Sequence, residues 1–182
     1  AAGGSIPGVP ANPTPARVVN LSIGGPGECT TFEQEAFDEA LSRGALVVVS
    51  AGNDNDNADG YSPASCYGVS TVVATDPYGY RASYSNYSAY ADISAPGGDS
   101  SRYTESDGVL STVDTSTSTP SGNYAYDWLN GTSMAAPHVT GVGSLMLSVN
   151  SSLTPSQLKG IMADTSSYFA SDSVCRTQEN CG

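Results

Sequence analysis

Apolar residues along this chain fall into two kinds of grouping, short unbroken runs and stretches with helical spacing. Val18-Val-Asn-Leu-Ser-Ile23 and Leu46-Val-Val-Val-Ser-Ala51 are of the first kind. A near-continuous apolar run predicts a strand covered on both faces, as in a parallel sheet. Between the two runs, Phe32, Ala36, Phe37, Ala40 and Leu41 recur at the spacing of one helix face and predict a helix over 31–43. Thr31 with Gln34 makes a capping box for its start, and Gly44 stops it. Strand, helix and strand at this spacing form a βαβ unit with a right-handed crossover.

Further short strands are expected at 70–75, 91–94 and 108–113. A second helix opens at Ser133 and runs to about Val149, with Pro137 placed in its first turn, where a missing N–H would have had no partner anyway. A third starts at Thr154-Pro155-Ser156-Gln157, with Thr as cap, Pro at the first position and Gln completing a capping box. Residues 1–16, rich in Gly, Pro and Ala, are read as irregular chain on a surface, and 98–127 as loops or a hairpin. No repeat or boundary interrupts the pattern. Residues 1–182 are read as a single α/β domain, a parallel β-sheet flanked by helices.

Composition narrows the partners. The net charge is −12, and Lys159 is the only lysine. Nucleic acid, whose phosphates need clustered Lys and Arg, is excluded on that ground, and anionic membrane surfaces are disfavoured. No stretch is apolar for long enough to span a membrane. A strongly acidic surface suits a saline habitat, cation binding or plain solubility equally. Four cysteines without a C-x-x-C pair, and one histidine, argue against structural zinc. The even cysteine count fits two disulfides and a secreted, extracellular protein, with Cys175 and Cys181 closing a small loop and Cys29 left for Cys66; free buried thiols are the alternative. No signal peptide precedes Ala1, so a processed segment is expected.

Ligands of an open parallel sheet gather beyond the carboxyl ends of its strands. Those ends here are Gly24-Gly25 and Gly52-Asn53. The first is an edge without side chains where an extended peptide backbone could pair. The second offers a neutral amide donor, suited to an oxyanion. Ser133 lies at the start of a helix, where free N–H groups and the helix dipole favour a developing negative charge. Most serines before helices only cap them, and Gly-Asn after a strand is usually just a turn. The three features together point to acyl transfer on a peptide.

Gly131-Thr-Ser-Met-Ala-Ala-Pro-His138 resembles the active-site serine motif of the subtilisin-like serine proteases, or subtilases. Val19-Asn-Leu-Ser-Ile-Gly-Gly25 is similar to that family's substrate-binding strand, and Val49-Ser-Ala-Gly-Asn53 to its oxyanion-hole segment. Tyr61-Ser-Pro-Ala-Ser65, Tyr84-Ser-Asn-Tyr87 and Ala95-Pro-Gly-Gly98 resemble its secreted bacterial and proteinase-K-like branches. The resemblance covers nearly the whole chain and implies a three-layer fold, incomplete at both ends. It implies Ser133 as nucleophile and Asn53, with the Ser133 N–H, as oxyanion donors. Ser22, Ile23, Gly24, Gly25, Ala51, Gly52 and Asp54 would line the pocket for the residue preceding the scissile bond. Asp54 could tolerate a basic substrate side chain, although a solvated rim carboxylate is the plainer reading.

The resemblance further implies a weak calcium site from the Tyr67 and Val69 carbonyls with the Asp92 carboxylate, an oxygen-only set suited to a hard cation. Asp54-Asn-Asp-Asn-Ala-Asp-Gly60 is read as a polar turn instead: Ser65 stands where a calcium loop needs its acidic twelfth ligand, and the glycine comes one place late. Relatives suggest a cis Ser62–Pro63 bond, against the trans base rate. Of the sequons at Asn20, Asn86, Asn130 and Asn150, the first falls in a strand and the third at the active centre, so neither suits a glycan.

A serine nucleophile needs a base, and the base an orienting acid. The only histidine, His138, lies five residues beyond Ser133 in the same helix, from where it cannot easily swing back. The family's catalytic histidine belongs to a His-Gly-Thr segment, preceded by an Asp-Ser/Thr-Gly segment, and neither occurs here. The expectation is therefore a fragment of a nicked protease whose amino-terminal partner supplies acid and base, acting on peptide or protein substrates. An inert fragment or peptide-binding pseudoprotease is the competing class. A Gly-x-Ser-x-Gly hydrolase is disfavoured because it needs its histidine late in the sequence, and the only one, His138, follows Ser133 by five residues.

Overall fold

The fold is described from a computed structural model, which covers residues 2–4, 7–116, 119, 122–169, 171, 173, 175 and 181. Its elements are β1 (Val18–Leu21), β2 (Gly25–Pro26), α1 (Thr31–Ser42), β3 (Leu46–Ser50), β4 (Tyr61–Ser62), β5 (Ser70–Thr75), β6 (Ile93–Pro96), β7 (Val109–Asp114), β8 (Tyr124–Leu129), α2 (Thr132–Val149) and α3 (Pro155–Thr165). β1, β3, β5 and β6 form one sheet in that order, every pair parallel. β3, interior to the sheet, is buried at every residue, as its unbroken apolar run requires.

The two faces of the sheet carry separate cores. Leu46, Val48, Val72 and Ala74 face Ala135, Ala136 and Val139 of α2 and Leu158 and Met162 of α3. Val47 and Val49 face the other way, toward Cys66, Val69, Phe37 and Ala40. The expected α/β sandwich of helices around a parallel sheet is thus present. α2 comes close enough that a Cβ on Gly143 would meet the Leu46 side chain at 3.1 Å, a tight contact that would need a small shift of that side chain. Disulfides join Cys29 to Cys66 and Cys175 to Cys181, and no described cysteine is free. The Ser94 hydroxyl donates to the Cys181 carbonyl, which holds the second loop on β6.

Four local expectations are corrected. The α1 capping box is Thr30 with Glu33, one residue earlier than the Thr31 and Gln34 pair. Both pairs satisfy the pattern, but the Gln34 amide is committed to both backbone groups of Tyr67. Glu33 brings a charge to the positive helix end; hydrogen bonds from the Thr30 hydroxyl and N–H, and then from Ser62, hold its carboxyl below the usual range. The apolar face of α1 is narrower than its spacing suggested, since Phe32 is 81% exposed and only Phe37, Ala40 and Leu41 turn inward. The first strand stops at Leu21 rather than Ile23, because side chains take over from the ladder: the Ser50 hydroxyl donates to the Ile23 carbonyl. The fourth strand of the sheet starts at Ile93 rather than 91, after the Asp92 N–H has closed onto the Thr71 carbonyl.

The segment 98–127 resolves in part as a hairpin, with β7 and β8 antiparallel from Val109 opposite Leu129 to Asp114 opposite Tyr124. α3 opens with Thr154 capped by Gln157 and Pro155 at its first position, as expected. The Ser62–Pro63 bond is cis. No helix among the described residues is long and apolar enough to cross a membrane.

α3 is anchored mainly by Leu158, 0% exposed beneath the sheet. Leu158→Ala should destabilise the protein by about 2–5 kcal/mol through lost transfer energy and a residual cavity, measured as a lower urea midpoint at unchanged slope.

Candidate active site

Gly131 caps α2 with φ of 153°, a conformation that side chains rarely adopt, and Thr132 and Ser133 are the first two helical residues. The Ser133 N–H is therefore one of the four donors that a helix start leaves without an internal acceptor. Its hydroxyl lies 3.5 Å from the Ser22 carbonyl, a long contact that leaves the oxygen lightly held.

Pro137 is the sixth residue of α2, beyond the first turn where it was expected. Its absent N–H would have bonded to the Ser133 carbonyl. The Ser22 hydroxyl donates to that carbonyl instead, at 2.8 Å. Ser22 in turn accepts from the Asn20 amide at 2.9 Å, and Asn20 accepts from the Thr140 hydroxyl at 3.0 Å. Two of these three bonds join the edge-strand segment to the helix, the third links them within the segment, and one end of the chain is the turn that carries Ser133.

Asn53 is fixed by its neighbour in space. The Thr132 N–H and hydroxyl both donate to Asn53 Oδ1, at 2.8 and 2.9 Å, and Thr132 is fully buried. With its oxygen committed, the Asn53 amide has only its N–H groups to offer, and they lie beside the helix start: a Cβ on Gly131 would be 3.8 Å from Asn53 Nδ2. The Gly52 N–H donates to the Thr132 hydroxyl at 3.2 Å, closing the clamp. The sequence reading named Asn53 and Ser133 but passed over Thr132; a hydroxyl at a helix's first position, next to a serine, was the available signal.

Asn86 builds the turn behind Asn53. Fully buried, it donates to the Ala51 carbonyl at 3.0 Å and accepts from the Asp54 and Asp56 N–H groups at 2.9 and 3.0 Å. A Cβ on Gly52, which has φ of 106°, would come within 2.3 Å of its amide, so only glycine fits. The sequence offered Asn86 as a sequon and within the Tyr84–Tyr87 motif, without this role, and its burial leaves no room for a sugar.

Ser22, Ile23, Gly24, Gly25, Gly52, Asn53, Asp54 and Ser133 line one cleft of about 300 Å³, joined by Ser50 and Tyr61. Ala51 lies outside it, 0% exposed and packed beside Ala58 and Val73. Packed there, its methyl is turned away from the groove. Burial, followed by the charges of Asp54 and Asp56, pushes the Tyr61 phenol up, so the cleft has a neutral hydroxyl beside an acidic rim.

A pair of glycines closes the site from behind. A Cβ on Gly97 would stand 2.8 Å from the Gly131 carbonyl and 2.5 Å from Ala74. The Gly131 N–H donates to Gly97, and the Tyr84 hydroxyl lies 2.9 and 2.7 Å from the Gly97 and Gly98 carbonyls. Burial pushes the Tyr84 phenol far above its ordinary range. Asp99 follows, 0% exposed. Burial alone would raise its carboxyl, but bonds from the Ser83 N–H, the Ser101 and Ser83 hydroxyls and the Arg102 N–H outweigh it and hold Asp99 below the ordinary value.

His138 is exposed, and its Nδ1 lies 2.8 Å from the Met134 carbonyl. A carbonyl only accepts, so Nδ1 carries the proton and is spent on its own helix. Among the described residues no imidazole faces Ser133.

The three residues expected to hold calcium are neighbours, but as a set they do not fit that ion. Lys159 Nζ lies 2.9 Å from the Val69 carbonyl and 2.8 Å from Asp92 Oδ1. The Tyr67 carbonyl accepts from the Gln34 amide at 3.1 Å. No group of three or more acidic, histidine or cysteine side chains suited to a metal occurs among the described residues.

A profile of the Subtilase family matches residues 6–180. An extracellular protease of Xanthomonas campestris pv. campestris is 46% identical over 166 residues, which cover 91% of this chain and 27% of that protein. Subtilisin BL of Lederbergia lenta is 37% identical, over 87% of this chain and 52% of its own length. Among solved structures, a protease of Pseudoalteromonas arctica superposes with a TM-score of 0.88 at 46% identity, over 92% of this chain and 49% of that one. The chain thus spans about half or less of the length of these relatives.

Asn86→Ala would strand two N–H groups and a carbonyl in the turn behind Asn53. It should cost on the order of 3 kcal/mol in chemical unfolding, since each unsatisfied buried group costs roughly 1–3 kcal/mol. Asp99, lowered in the folded state, should stabilise fully above the unfolded value of about 4 and lose that contribution as pH falls through its lowered folded value. The melting temperature of the parent protein should therefore drop on acidification below about pH 4, and Asp99→Asn should flatten that part of the profile.

Proposed function

Since the chain belongs to the subtilase family, we propose that it is the nucleophile-bearing part of a secreted serine endopeptidase. The observation that carries this reading is the Thr132 clamp, which commits Asn53 Oδ1 and leaves Asn53 Nδ2 and the Ser133 N–H as donors at one end of the cleft. An extended substrate pairs along Ser22–Gly25. Ser133 Oγ attacks the scissile carbonyl carbon, giving its proton to a base; the carbonyl π bond breaks, and the oxyanion accepts from the two donors. Collapse expels the amine, and water then releases the acyl group by the same route.

The base and its orienting acid come from polypeptide outside these 182 residues. Two features support that reading. Val142, Leu145 and Val149 of α2 are 46, 69 and 90% exposed at helical spacing, an apolar stripe on the helix that packs over β1. β1 is also an edge of the described sheet, with one side of its backbone ladder open. An amino-terminal segment of the same protease, completing the sheet and covering the stripe, would deliver the missing His and Asp to Ser133. The two disulfides, and relatives named extracellular proteases, favour secretion. Asp54 and the neutral Tyr61 phenol give the cleft tolerance for a basic substrate side chain.

Active-site labelling of the natural protein with a fluorophosphonate tests the proposal. Ser133 should be modified rapidly, Ser133→Ala not at all, and intact mass should reveal a longer or second chain carrying a His-Gly-Thr motif. Asn53→Ala should lower turnover by about two to three orders of magnitude, a size carried over from the same donor in subtilisin. Peptide binding without labelling would identify an inert groove instead.

A further inference from the structure

The geometry points to Lys159 as a built-in cation that takes the place of calcium: its ammonium occupies the oxygen site of Val69 and Asp92 and excludes a metal ion from it. Both contacts have the length of charge-assisted hydrogen bonds, 2.9 Å to the carbonyl and 2.8 Å to the carboxylate. The second carboxylate oxygen is occupied as well, accepting from the Thr71 N–H at 3.0 Å. A calcium ion needs six to eight oxygens at about 2.3–2.6 Å. It would have to approach these two against the repulsion of the ammonium already bound to both.

The setting favours the ammonium. Lys159 is the only lysine of the chain and projects from α3 across to the loop before β5 and the residue before β6. Its side chain and that of Asp92 are 25 and 26% exposed, so the pair is largely withdrawn from water. Glu28, Glu35, Asp38 and Asp59 line the adjoining cavity of about 790 Å³, and their field holds a cation in place. A tethered ammonium cannot be lost by dilution or chelation, so α3 stays pinned to the sheet in calcium-free medium.

Tyrosine-sensitised terbium emission gives the test, since Tyr67 and Tyr90 line the same cavity. The natural protein and its Asp92→Asn variant should bind equal numbers of terbium ions, and calcium should compete equally in both. Lys159→Met should gain one ion per chain, with a dissociation constant of roughly 0.1–1 mM, the range of weak oxygen sites. The double variant Lys159→Met/Asp92→Asn should lose that ion again. Loss of an ion from Asp92→Asn alone would overturn the proposal, and so would a folded Lys159→Met protein that gains none. Should Lys159→Met not fold, the comparison of Asp92→Asn with the parent decides.

Discussion

The hydrogen bonds from Thr132 to Asn53 are the constraint on which the rest of this site depends. They join the end of an interior strand to the first residue of the central helix, two points 79 residues apart in sequence. Neither side chain is charged, so the clamp escapes the desolvation penalty of a buried ion pair, and its worth comes from direction. An amide with a free oxygen can rotate to present either end; one whose oxygen accepts twice cannot. Asn86 then fixes the backbone from which Asn53 projects. The donor is pre-oriented before any ligand arrives, the condition under which a hydrogen bond lowers a barrier most.

Close approach of backbones makes such bonding feasible. Gly52 against Asn86 and Gly97 against Gly131 are places where one methyl group would force parts of the fold apart, and Gly143 against Leu46 is a tight contact. The scarcity of bulky residues around Ser133 is thus a consequence of packing loops, helix and sheet at one corner. The acidic surface operates at a longer range. Its like charges repel one another, and within it the single lysine becomes a structural element.

Much of the fold was legible because it follows from strong local rules. An unbroken valine run can only be an interior strand, and Thr154-Pro155-Ser156-Gln157 leaves one way to begin a helix. The candidate site was legible where its motifs are contiguous, at Ser133 and Asn53. Errors arose where two residues competed for one role. Thr30 displaced Thr31 as cap because Gln34 was needed elsewhere. Pro137 moved from harmless to consequential through one residue count in the helix start. Thr132, Asn86 and Lys159 went unnoticed as a group, since each acts through partners between 30 and 90 residues away, a distance that periodicity cannot see.

Pro137 has an implication for how the geometry of the site is tied to folding. A helix normally completes its own backbone bonding, so its geometry survives small errors elsewhere. Here one carbonyl of the turn that carries Ser133 is served from outside, by a hydroxyl on the strand segment that lines the cleft. If that segment is out of place, a polar group in the interior loses its partner and the turn loses a restraint. The geometry of the turn at Ser133 is thus tied to the segment that lines the cleft, and the two form together.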